Sequence, residues 1–492
     1  MGLLQKAENI LPAERSMNQK RNLFFLLFLS AMLFSCSLNS SLSDTAESVA
    51  IPESYVGGSG ESVLPEKWWE AFEDERLSSL VEELLSANLD LEQAWARIDQ
   101  AEALAVQTGS ALLPGIALEG ATSRARIYTP SSSSADSMVP VHTRQHTLGL
   151  AASYEIDLWG RTRSSKKASM LDVEAVRLDL ETAAMSLTAQ VAQDWYSLIE
   201  HKAQLELVQN QVKASSKQLD LVKLRFSRGL ASALDVYQQR QQLASLTSQR
   251  PLIEAQISIV THQLNVLLGK DPNTPVENIP DTLPELWPRP AAGLPADLLT
   301  HRPDVKASMI RIKAAEKRIA SAVSERFPRI SISASRGYGA ESFAEMFDRM
   351  IWNVVGGAAV SLYEGGARSA EVRRTEAVGK ERLYAYAKTV LEAFAEVEGA
   401  LKREQKQIEY VGRLREQLEL SQSTLERAYT QYVNGLSDYL AVLSALNSLQ
   451  QTQRELLAAR SDLISYRIAL CRSLGGTWTT EIERKNNAGD KS

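Results

Sequence analysis

The chain has 492 residues, which is too long for one small domain, and its formal net charge of -6 argues against a nucleic-acid partner. It contains two cysteines, Cys36 and Cys471, so a disulfide framework is excluded as the basis of the fold.

The first predicted element is a signal peptide over residues 1–35. A basic stretch at 17–22 precedes a 12-residue apolar run at 23–34, which is too short to span a bilayer but suits a signal-peptide core. The first 16 residues carry no such feature, so Met17 is a candidate start. The residues before Cys36 resemble a bacterial lipobox, which implies lipidation of Cys36 and a lipid-anchored segment at 36–66; the alternative is an ordinary signal peptide and an incidental cysteine.

An internal repeat organises the rest of the chain. ARIDQAEALAVQTGSALLPGIALEG at 96–120 aligns without gaps on IRIKAAEKRIASAVSERFPRISISA at 310–334, at an offset of 214. Further along, Gly160 and Gly269 correspond to Gly366 and Gly475 at an offset of 206. The change of offset is attributed to a polar, serine-rich loop at 129–145. A tandem duplication is therefore predicted. Its parts are repeat 1 at 67–270, a proline-rich linker at 271–297, repeat 2 at 298–478 and a flexible tail at 479–492.

Each repeat is predicted to contain a helix, two strands, a very long helix, a turn and a returning helix. Pro114 and Pro328 end the first helices. The strands alternate between an apolar face and a small or polar face, as in a lipid-facing wall around water. A soluble sheet packed on helices is the alternative. The apolar faces begin with Ile116 and Leu118, Leu148 and Leu150, Ile330 and Ile332, and Trp352 and Val354.

Two very long helices are predicted between glycines. Gly160 and Gly229 are 69 positions apart, and so are Gly366 and Gly435. Apolar residues recur every seven positions in these segments and in the returning helices, with Glu404 as a charged member of one series. Sustained heptads indicate coiled-coil packing, and each helix could be ~100 Å long. The turns RFSRGLASALDV (225–236) and QYVNGLSDYLAV (431–442) share one layout, which argues against a single active site at either.

Four stretches together resemble the TolC-like outer-membrane efflux factors, with the lipidated drug-efflux (RND-type, NodT-like) branch nearest. They are WWEAFEDERLSSLVEELLSANLDLEQAWARIDQAEA, SYEIDLWGRTRSS, RFSRGLASALDV and GLPADLLTHRPDVKAS, and the resemblance runs from about Trp68 to Trp478. It implies an α+β membrane protein. Long antiparallel helical coiled-coil hairpins would form a periplasmic tube, and each chain would add four strands to a trimeric 12-strand outer-membrane β-barrel.

The implied function is the passive exit duct of a tripartite efflux pump in a Gram-negative-type outer membrane. Its partners would be two further copies of the chain, outer-membrane lipid, an inner-membrane pump and a periplasmic adaptor that opens the duct at the hairpin tips. A type I protein-secretion duct of the same fold and a non-conducting coiled-coil surface scaffold are the alternatives. The resemblance implies adaptor docking at Arg225, Phe226, Gly229, Leu230, Ala231, Ser232, Tyr432, Gly435, Leu436 and Ser437; the alternative is that these residues only reverse the helix.

The pore constriction is expected just after the second turn. Many relatives carry Leu-Asp-Ala-Gln-Arg there, whereas this chain has Leu443-Ser444-Ala445-Leu446-Asn447, without the two charges. Leu440, Ser444 and Asn447 are the candidate constriction residues, and opening is expected to depend weakly on salt.

No enzyme, cofactor or metal site is predicted. The HRPD sequence at 301–304 is interpreted as a helix start with Pro303 in its first turn. His142 and His146 lie in a loop-to-strand stretch whose spacing does not suit a metal site. Cys471 is predicted to be a buried free thiol, and Trp68 and Trp69 to pack at the start of the helical body.

Overall fold

The structure is a computed structural model that describes residues 42, 54–56, 66–131, 134–293, 295–476, 478–482 and 484. The predicted signal peptide, Cys36 and most of the predicted flexible tail lie outside these residues. In the first half of the chain the elements are α1 (Glu75–Ala87), α2 (Leu89–Ser110), β1 (Gly115–Ser131), β2 (Ser134–Ile156), α3 (Arg161–Ser227) and α4 (Ala233–Leu267).

The second half contains the same succession. After a helical turn at Leu298–His301 the elements are α5 (Pro303–Ser324), β3 (Arg329–Ala340), β4 (Met350–Ala359), α6 (Ala367–Val433) and α7 (Tyr439–Leu474). Pro303 occupies the first turn of α5, as predicted for the HRPD sequence. Short 3-10 segments lie at Trp68–Phe72, Pro295–Asp297, Phe343–Glu345 and Trp478–Glu481. Within the described residues, no helix combines the length and the hydropathy needed to cross a membrane.

The four strands form one antiparallel sheet in the order β1-β2-β3-β4. One row of paired residues crosses all four strands: Ile116 opposite Ala152, Ala152 opposite Ala334, and Ala334 opposite Val354. Because directly paired residues project to the same side, the apolar faces predicted for the separate strands combine into one apolar face. The alternation read from the sequence is confirmed.

The predicted loop at 129–145 is wrong. β1 continues to Ser131 and β2 begins at Ser134, and Thr129 pairs with Val139 within this hairpin. β2 pairs with β3 only from His146 onward, so residues 134–145 pair with β1 alone. Apolar residues are few among the polar residues of this outer part of the hairpin, so its alternation signal is weak. Backbone hydrogen bonds between the two strands form it instead.

The two long helices have 67 residues each, or about 100 Å at 1.5 Å per residue. Both begin immediately after a glycine in the left-handed conformation, Gly160 at φ 77° and Gly366 at φ 84°. Most of the predicted heptad positions are buried or half-buried, in agreement with coiled-coil packing. Phe226 is an exception, being exposed at the end of α3. The sheet therefore lies at one end of the long helices and the hairpin turns lie at the other.

Glu404, the charged member of the heptad series, is fully buried and pairs with Arg467 of α7 at 2.5 Å. Arg467 also donates to the carbonyl oxygen of Trp287 at 2.8 Å and lies 4.8 Å from the centre of its indole ring. Trp287 belongs to the irregular connection between α4 and the second half of the chain. The buried ion pair thus fastens this connection to the helices.

Each returning helix is followed by a glycine that fits closely against the start of its own half. A Cβ atom on Gly269 would lie 2.5 Å from the carbonyl oxygen of Ala87, and one on Gly475 would lie 2.7 Å from that of His301. Both glycines have positive φ. Ala87 and His301 are 214 positions apart and the glycines 206 apart, so the sequence offsets also relate contacts in three dimensions.

A second pair of contacts is related by the same two offsets, but a different type of side chain makes it in each half. The Asn88 side chain, at the N-cap of α2, donates to the Leu267 carbonyl oxygen at 2.7 Å. The Arg302 side chain, at the N-cap of α5, donates to the Ser473 carbonyl oxygen at 3.2 Å. The two halves therefore fix their first and last helices to each other at equivalent points.

The largest core lies around the middle of α3. It includes the buried Trp68 and Trp69, as predicted, and the edge of the Trp69 ring meets Trp478 at 4.8 Å between ring centres. Cys471 is also buried there, which raises the pKa of its thiol to about 12 and keeps it protonated. The prediction of a buried free thiol is confirmed.

Candidate functional site at the hairpin turns

The two hairpin turns have the same backbone geometry. Gly229 and Gly435 adopt positive φ angles of 73° and 72°. The amide of Leu230 donates to the carbonyl oxygen of Arg225 at 2.8 Å, and that of Leu436 donates to Gln431 at 2.8 Å. A second amide bond, from each glycine to the residue three before it, completes the Schellman motif at both helix ends. The left-handed residue is glycine because a Cβ would be strained at this φ.

The helices that follow the turns are capped differently. Ser232 accepts a hydrogen bond from the Asp235 amide at 3.1 Å, and the Asp235 carboxylate accepts one from the Ser232 amide at 2.9 Å. This reciprocal capping box closes the start of α4. Asp438 stands at the start of α7 and makes no side-chain cap bond. The helix start after the first turn is therefore held by side-chain hydrogen bonds that the start after the second turn lacks.

The residues predicted for docking divide into an exposed group and a packed group. Phe226, Gly229, Leu230, Ser232, Gly435 and Leu436 are exposed, and Leu436 reaches 77%. Arg225, Ala231 and Ser437 are half-buried, and Tyr432 is buried. The exposed apolar side chains at the turns form a partly apolar surface at the end of the molecule. The packed residues lie beneath this surface and support it.

The packed residues join the two turns. The guanidinium of Arg225, on α3, lies 4.5 Å from the ring centre of Tyr432, on α6. The Tyr432 ring in turn lies 5.3 Å from that of Tyr439, on α7. Such a cation over an aromatic face is attracted by the ring quadrupole. Sequence reasoning named Arg225 and Tyr432 as separate surface residues and missed their contact with each other.

A buried amide continues this connection. The Gln239 side chain, on α4, is fully buried; it donates to the carbonyl oxygen and hydroxyl of Ser215 at 2.9 and 2.8 Å and accepts from the Tyr439 hydroxyl at 2.5 Å. Burial raises the pKa of Tyr439 to about 12, so this phenol remains a donor. Gln239 lies seven positions before Leu246, at the next position of a heptad series, and a polar residue there was the available signal.

A second polar cluster lies further from the turns. Gln211 of α3 donates to the Gln450 carbonyl oxygen at 3.2 Å and accepts from Arg454 at 2.9 Å, and both partners belong to α7. Gln242 of α4 donates to the Gln450 side chain at 2.9 Å. Burial lowers the pKa of Arg454, yet its guanidinium keeps a partner. The first hairpin is thus hydrogen-bonded to the second at two levels.

The three candidate constriction residues lie on one stripe of α7. Leu440, Ser444 and Asn447 are spaced by four and three positions, and all are exposed, Leu440 to 59%. The opposite side of α7 is packed, with Tyr439, Val442 and Leu443 buried. This stripe therefore faces away from its own chain, and its three side chains carry no charge.

An apolar groove runs between the two hairpins above the turns. It has a volume of about 390 Å³, and its apolar lining includes Leu425, Val442, Leu446 and Leu449. The groove is lined by α3, α6 and α7 together, so its shape depends on how the two hairpins are joined.

No metal-binding arrangement is found in the described part of the chain, where no three His, Cys, Asp or Glu residues are suitably grouped. His142 and His146 lie on β2, where they pair opposite Arg126 and Thr122. The His146 ring contacts the Thr122 hydroxyl at 3.1 Å.

The sequence matches a known family over most of its length. The profile described as "Outer membrane efflux protein" matches residues 80–270 and 294–476. Pyoverdine export outer membrane protein OpmQ of Pseudomonas putida is 30% identical over 469 residues, covering 93% of this chain and 97% of the relative. Toluene efflux pump outer membrane protein TtgF of the same species is 28% identical, covering 84% of this chain and 85% of the relative.

The fold also matches solved channels. The structure of the outer-membrane channel OprN aligns with a TM-score of 0.80 and 26% identity, covering 89% of this chain and 96% of the channel.

Proposed function

The chain belongs to the outer membrane efflux protein family, and from this membership we propose that it forms the exit duct of an efflux pump, passing small molecules from the periplasm to the exterior. The observation that carries the proposal is the continuous apolar face of the four-stranded sheet, joined at one end to helices of about 100 Å. The family and the fold are those of channels. The duct works without catalysis, because its role is to conduct.

Three copies of the chain complete the duct. Four strands cannot close a barrel, and open strand edges in lipid would leave backbone groups unpaired. Two copies would give eight strands, whose interior is nearly filled by side chains, whereas three give twelve and leave a channel. The small and polar face of the sheet, with Ser333, Ser335 and Asn353, then lines water.

A lipid anchor at Cys36 is supported by the place of Leu42. Its side chain packs beside Gly379 and Ile319 in the groove between α5 and α6, about 12 residues or ~18 Å from the start of α6. Cys36 lies six residues before Leu42, and an extended segment of that length spans ~20 Å. Cys36 can therefore reach the sheet end of the molecule, where the membrane would lie. Mass analysis of the mature N-terminal peptide would reveal a diacylated or triacylated cysteine, and an unmodified thiol would contradict the anchor.

The hairpin turns are the proposed docking surface for a periplasmic adaptor, which would connect the duct to an inner-membrane pump. Phe226, Leu230 and Leu436 offer exposed apolar side chains there, and the groove lined by Leu425 and Leu446 offers a seat for an apolar helix. Leu440, Ser444 and Asn447 would narrow the closed pore just above this surface. Opening would then require the joined hairpins to shift.

Two neighbouring residues of β4 provide a matched test of the duct. Val354 lies on the apolar face opposite Ala334, and Val355 lies on the other face opposite Ser333. A lysine facing lipid costs about 2–4 kcal/mol near the bilayer centre, whereas a lysine facing water is tolerated. Val354→Lys should therefore reduce the yield of membrane-inserted trimer. Val355→Lys should insert normally and shift the pore's preference toward anions.

The measurements are the oligomeric state of the detergent-extracted protein and conductance in a planar bilayer. A wild-type protein that is monomeric and non-conducting would overturn the duct and favour a surface scaffold. Equal insertion of both lysine variants would contradict the assignment of the sheet faces. A conducting trimer that binds a protein-secretion adaptor in place of an efflux adaptor would favour a secretion duct.

A further inference from the structure

The seam between the two halves of one chain is formed by α3 and α5. Arg311 pairs with Asp179 and Arg318 pairs with Asp172 across it. Nearer the sheet, the Ser165 and Ser321 hydroxyl oxygens are 2.9 Å apart. At the end of the seam, the Ser324 hydroxyl donates to the carbonyl oxygen of Trp159 at 3.0 Å. These four contacts describe how the C-terminal half packs on the N-terminal half.

The repeat makes this seam a template for another one. Residues of α2 correspond to residues of α5 at the offset of 214, and residues of α3 correspond to residues of α6 at the offset of 206. The contacts of Gly269 and Gly475 described above show that residues related by these two offsets make equivalent contacts. α2 packs on α3, α3 on α5, and α5 on α6, so α2 and α6 are the two outer edges of one four-helix layer. Within one chain these edges point in opposite directions, and only a second copy can bring an α2 edge beside an α6 edge.

We propose that the α2 edge of one copy joins the α6 edge of the next in the same register as α3 joins α5, so that the partner of this surface is another copy of the chain. The inference rests on the proposed trimeric duct. It adds which side chains meet and what kind of contact they make.

The side chains at the corresponding positions are complementary. Ser110 corresponds to Ser324 and would meet the Gly365 carbonyl oxygen, which corresponds to that of Trp159. Gln107 would meet Glu371 where Ser321 meets Ser165, and an amide can donate to a carboxylate. Gln107 and Ser110 are exposed in the single chain. The Ser110 hydroxyl donates to the Gln107 carbonyl oxygen at 2.7 Å there and would donate to the neighbouring copy in the seam, as Ser324 donates both within its helix and to Trp159.

Neither ion pair of the template is kept. Leu104 and Val378 stand at the positions of Arg318 and Asp172 and would make an apolar contact. Arg97 keeps the charge of Arg311, but Ala385 stands at the position of its partner Asp179. Leu104 is 52% exposed in the single chain, and packing against Val378 would remove this apolar surface from water. The six equivalent seams around the tube would therefore alternate: both ion pairs are present within each chain, and neither is present between chains. Salt screens exposed ion pairs, so it would loosen the seams inside the chains and spare those between them.

Cysteine pairs test the register. The template hydroxyls of Ser165 and Ser321 are 2.9 Å apart, a separation that suits a disulfide when both residues become cysteine. We expect Gln107→Cys with Glu371→Cys to convert most of the chain into covalent dimers and trimers on non-reducing gels after mild oxidation. Ser165→Cys with Ser321→Cys should cross-link within the chain and keep the monomer mass. Gln107→Cys with Val378→Cys is out of register by seven residues and should not cross-link.

The outcomes separate the seam from the duct. A conducting trimer in which the Gln107 and Glu371 cysteines stay reduced, or in which the out-of-register pair cross-links equally well, would overturn the seam and leave the duct intact. Loss of both trimer and conductance in the wild type would overturn the duct itself and the seam with it.

A charge exchange tests the apolar chemistry. Leu104→Arg or Val378→Asp alone should lower the trimer yield several-fold, because each places an unpaired charge in the seam. The double variant recreates the Arg318–Asp172 pair and should recover the trimer. Single variants with normal trimer yield would show that Leu104 and Val378 do not face each other.

Discussion

At the scale of single residues, polar side chains at heptad positions set the packing of this molecule. Gln239 and Glu404 both occupy positions where apolar residues recur, and both are fully buried. Each has a specific partner, Tyr439 and Arg467 respectively, on a helix from the second half of the chain. A buried polar group is costly unless it is paired, so such residues favour one register of packing over its neighbours.

Removal of one partner from the buried ion pair should be strongly destabilising. We expect Glu404→Leu to lower the free energy of unfolding by about 3–5 kcal/mol, because Arg467 would remain buried without a counter-charge. The connection at Trp287 should loosen too, since the same guanidinium holds its carbonyl oxygen. Thermal unfolding and cleavage after the exposed Glu285 by a glutamate-specific protease are the measurements. The double variant Glu404→Leu with Arg467→Leu should recover much of the loss, and equal damage in both would contradict the explanation.

Asp194 should make stability depend on pH. Burial raises its pKa to about 6, against an ordinary value of 3.8, although Gln190 donates a hydrogen bond to it at 2.7 Å. The folded state thus holds a proton more tightly than the unfolded state, so stability falls as pH rises from about 4 to about 6. Asp194→Asn should remove this slope and gain on the order of 2 kcal/mol at pH 7. Unfolding at several pH values checks this, with the exposed Glu206→Gln on the same helix as the control variant.

At the scale of elements, the two hairpins are alike in their turns and unlike in their caps. The Schellman turns at Gly229 and Gly435 have nearly the same φ angles, but only α4 begins with a reciprocal capping box. α7 begins without a side-chain cap and carries the candidate constriction stripe. The less securely fastened helix start is therefore beside the residues proposed to narrow the pore.

Loss of the cap should distinguish the two turns. Ser232→Ala should destabilise the start of α4 by about 1 kcal/mol, because the Asp235 amide loses its acceptor. Asp438→Ala should have a much smaller effect, because Asp438 accepts no such bond. Hydrogen exchange of the first-turn amides of each helix is the measurement. If Asp438→Ala accelerated exchange as much as Ser232→Ala, the two starts would be equally fastened.

At the scale of the whole molecule, the constriction proposed above carries no charge, and this determines how the duct should respond to salt. Leu440, Ser444 and Asn447 would form rings of apolar and neutral groups in a trimer, without ion pairs between copies. The hydrogen bonds of Gln239 and the stacking of Arg225 on Tyr432 hold the two hairpins of each copy together instead. Closure then depends on packed contacts, which salt screens little.

Single-channel opening should accordingly change little with ionic strength. The double variant Ser444→Asp with Asn447→Arg introduces the two charges that many relatives carry at these positions. It should open less at low salt and regain opening as the salt concentration rises, because the new ion pairs are screened. Planar-bilayer recordings between low and high salt test both proteins. A steep salt dependence in the wild type would contradict closure by uncharged contacts.

Most of the fold could be predicted from the sequence because the patterns that indicate it are periodic. Heptads and paired glycines predicted both long helices, and the period-two strands predicted the apolar face that the register confirms. The strand pairing through 129–145 was missed because it depends on the other strand and not on local composition. The joining of the turns by Arg225, Tyr432 and Gln239 was missed for a similar reason. Such contacts connect residues about 200 positions apart, and no local pattern specifies them.

The equal lengths of α3 and α6, 67 residues each, limit how such a chain can change in evolution. One residue added to either helix alone would lower its turn by about 1.5 Å and rotate it by about 100°, and the other turn would stay where it was. The rim offered to a docking partner would become uneven, and its exposed side chains would point in different directions. Insertions and deletions should therefore survive only as matched changes in both halves, most readily as whole heptads, and the two helices should keep a common length wherever this kind of duct is inherited.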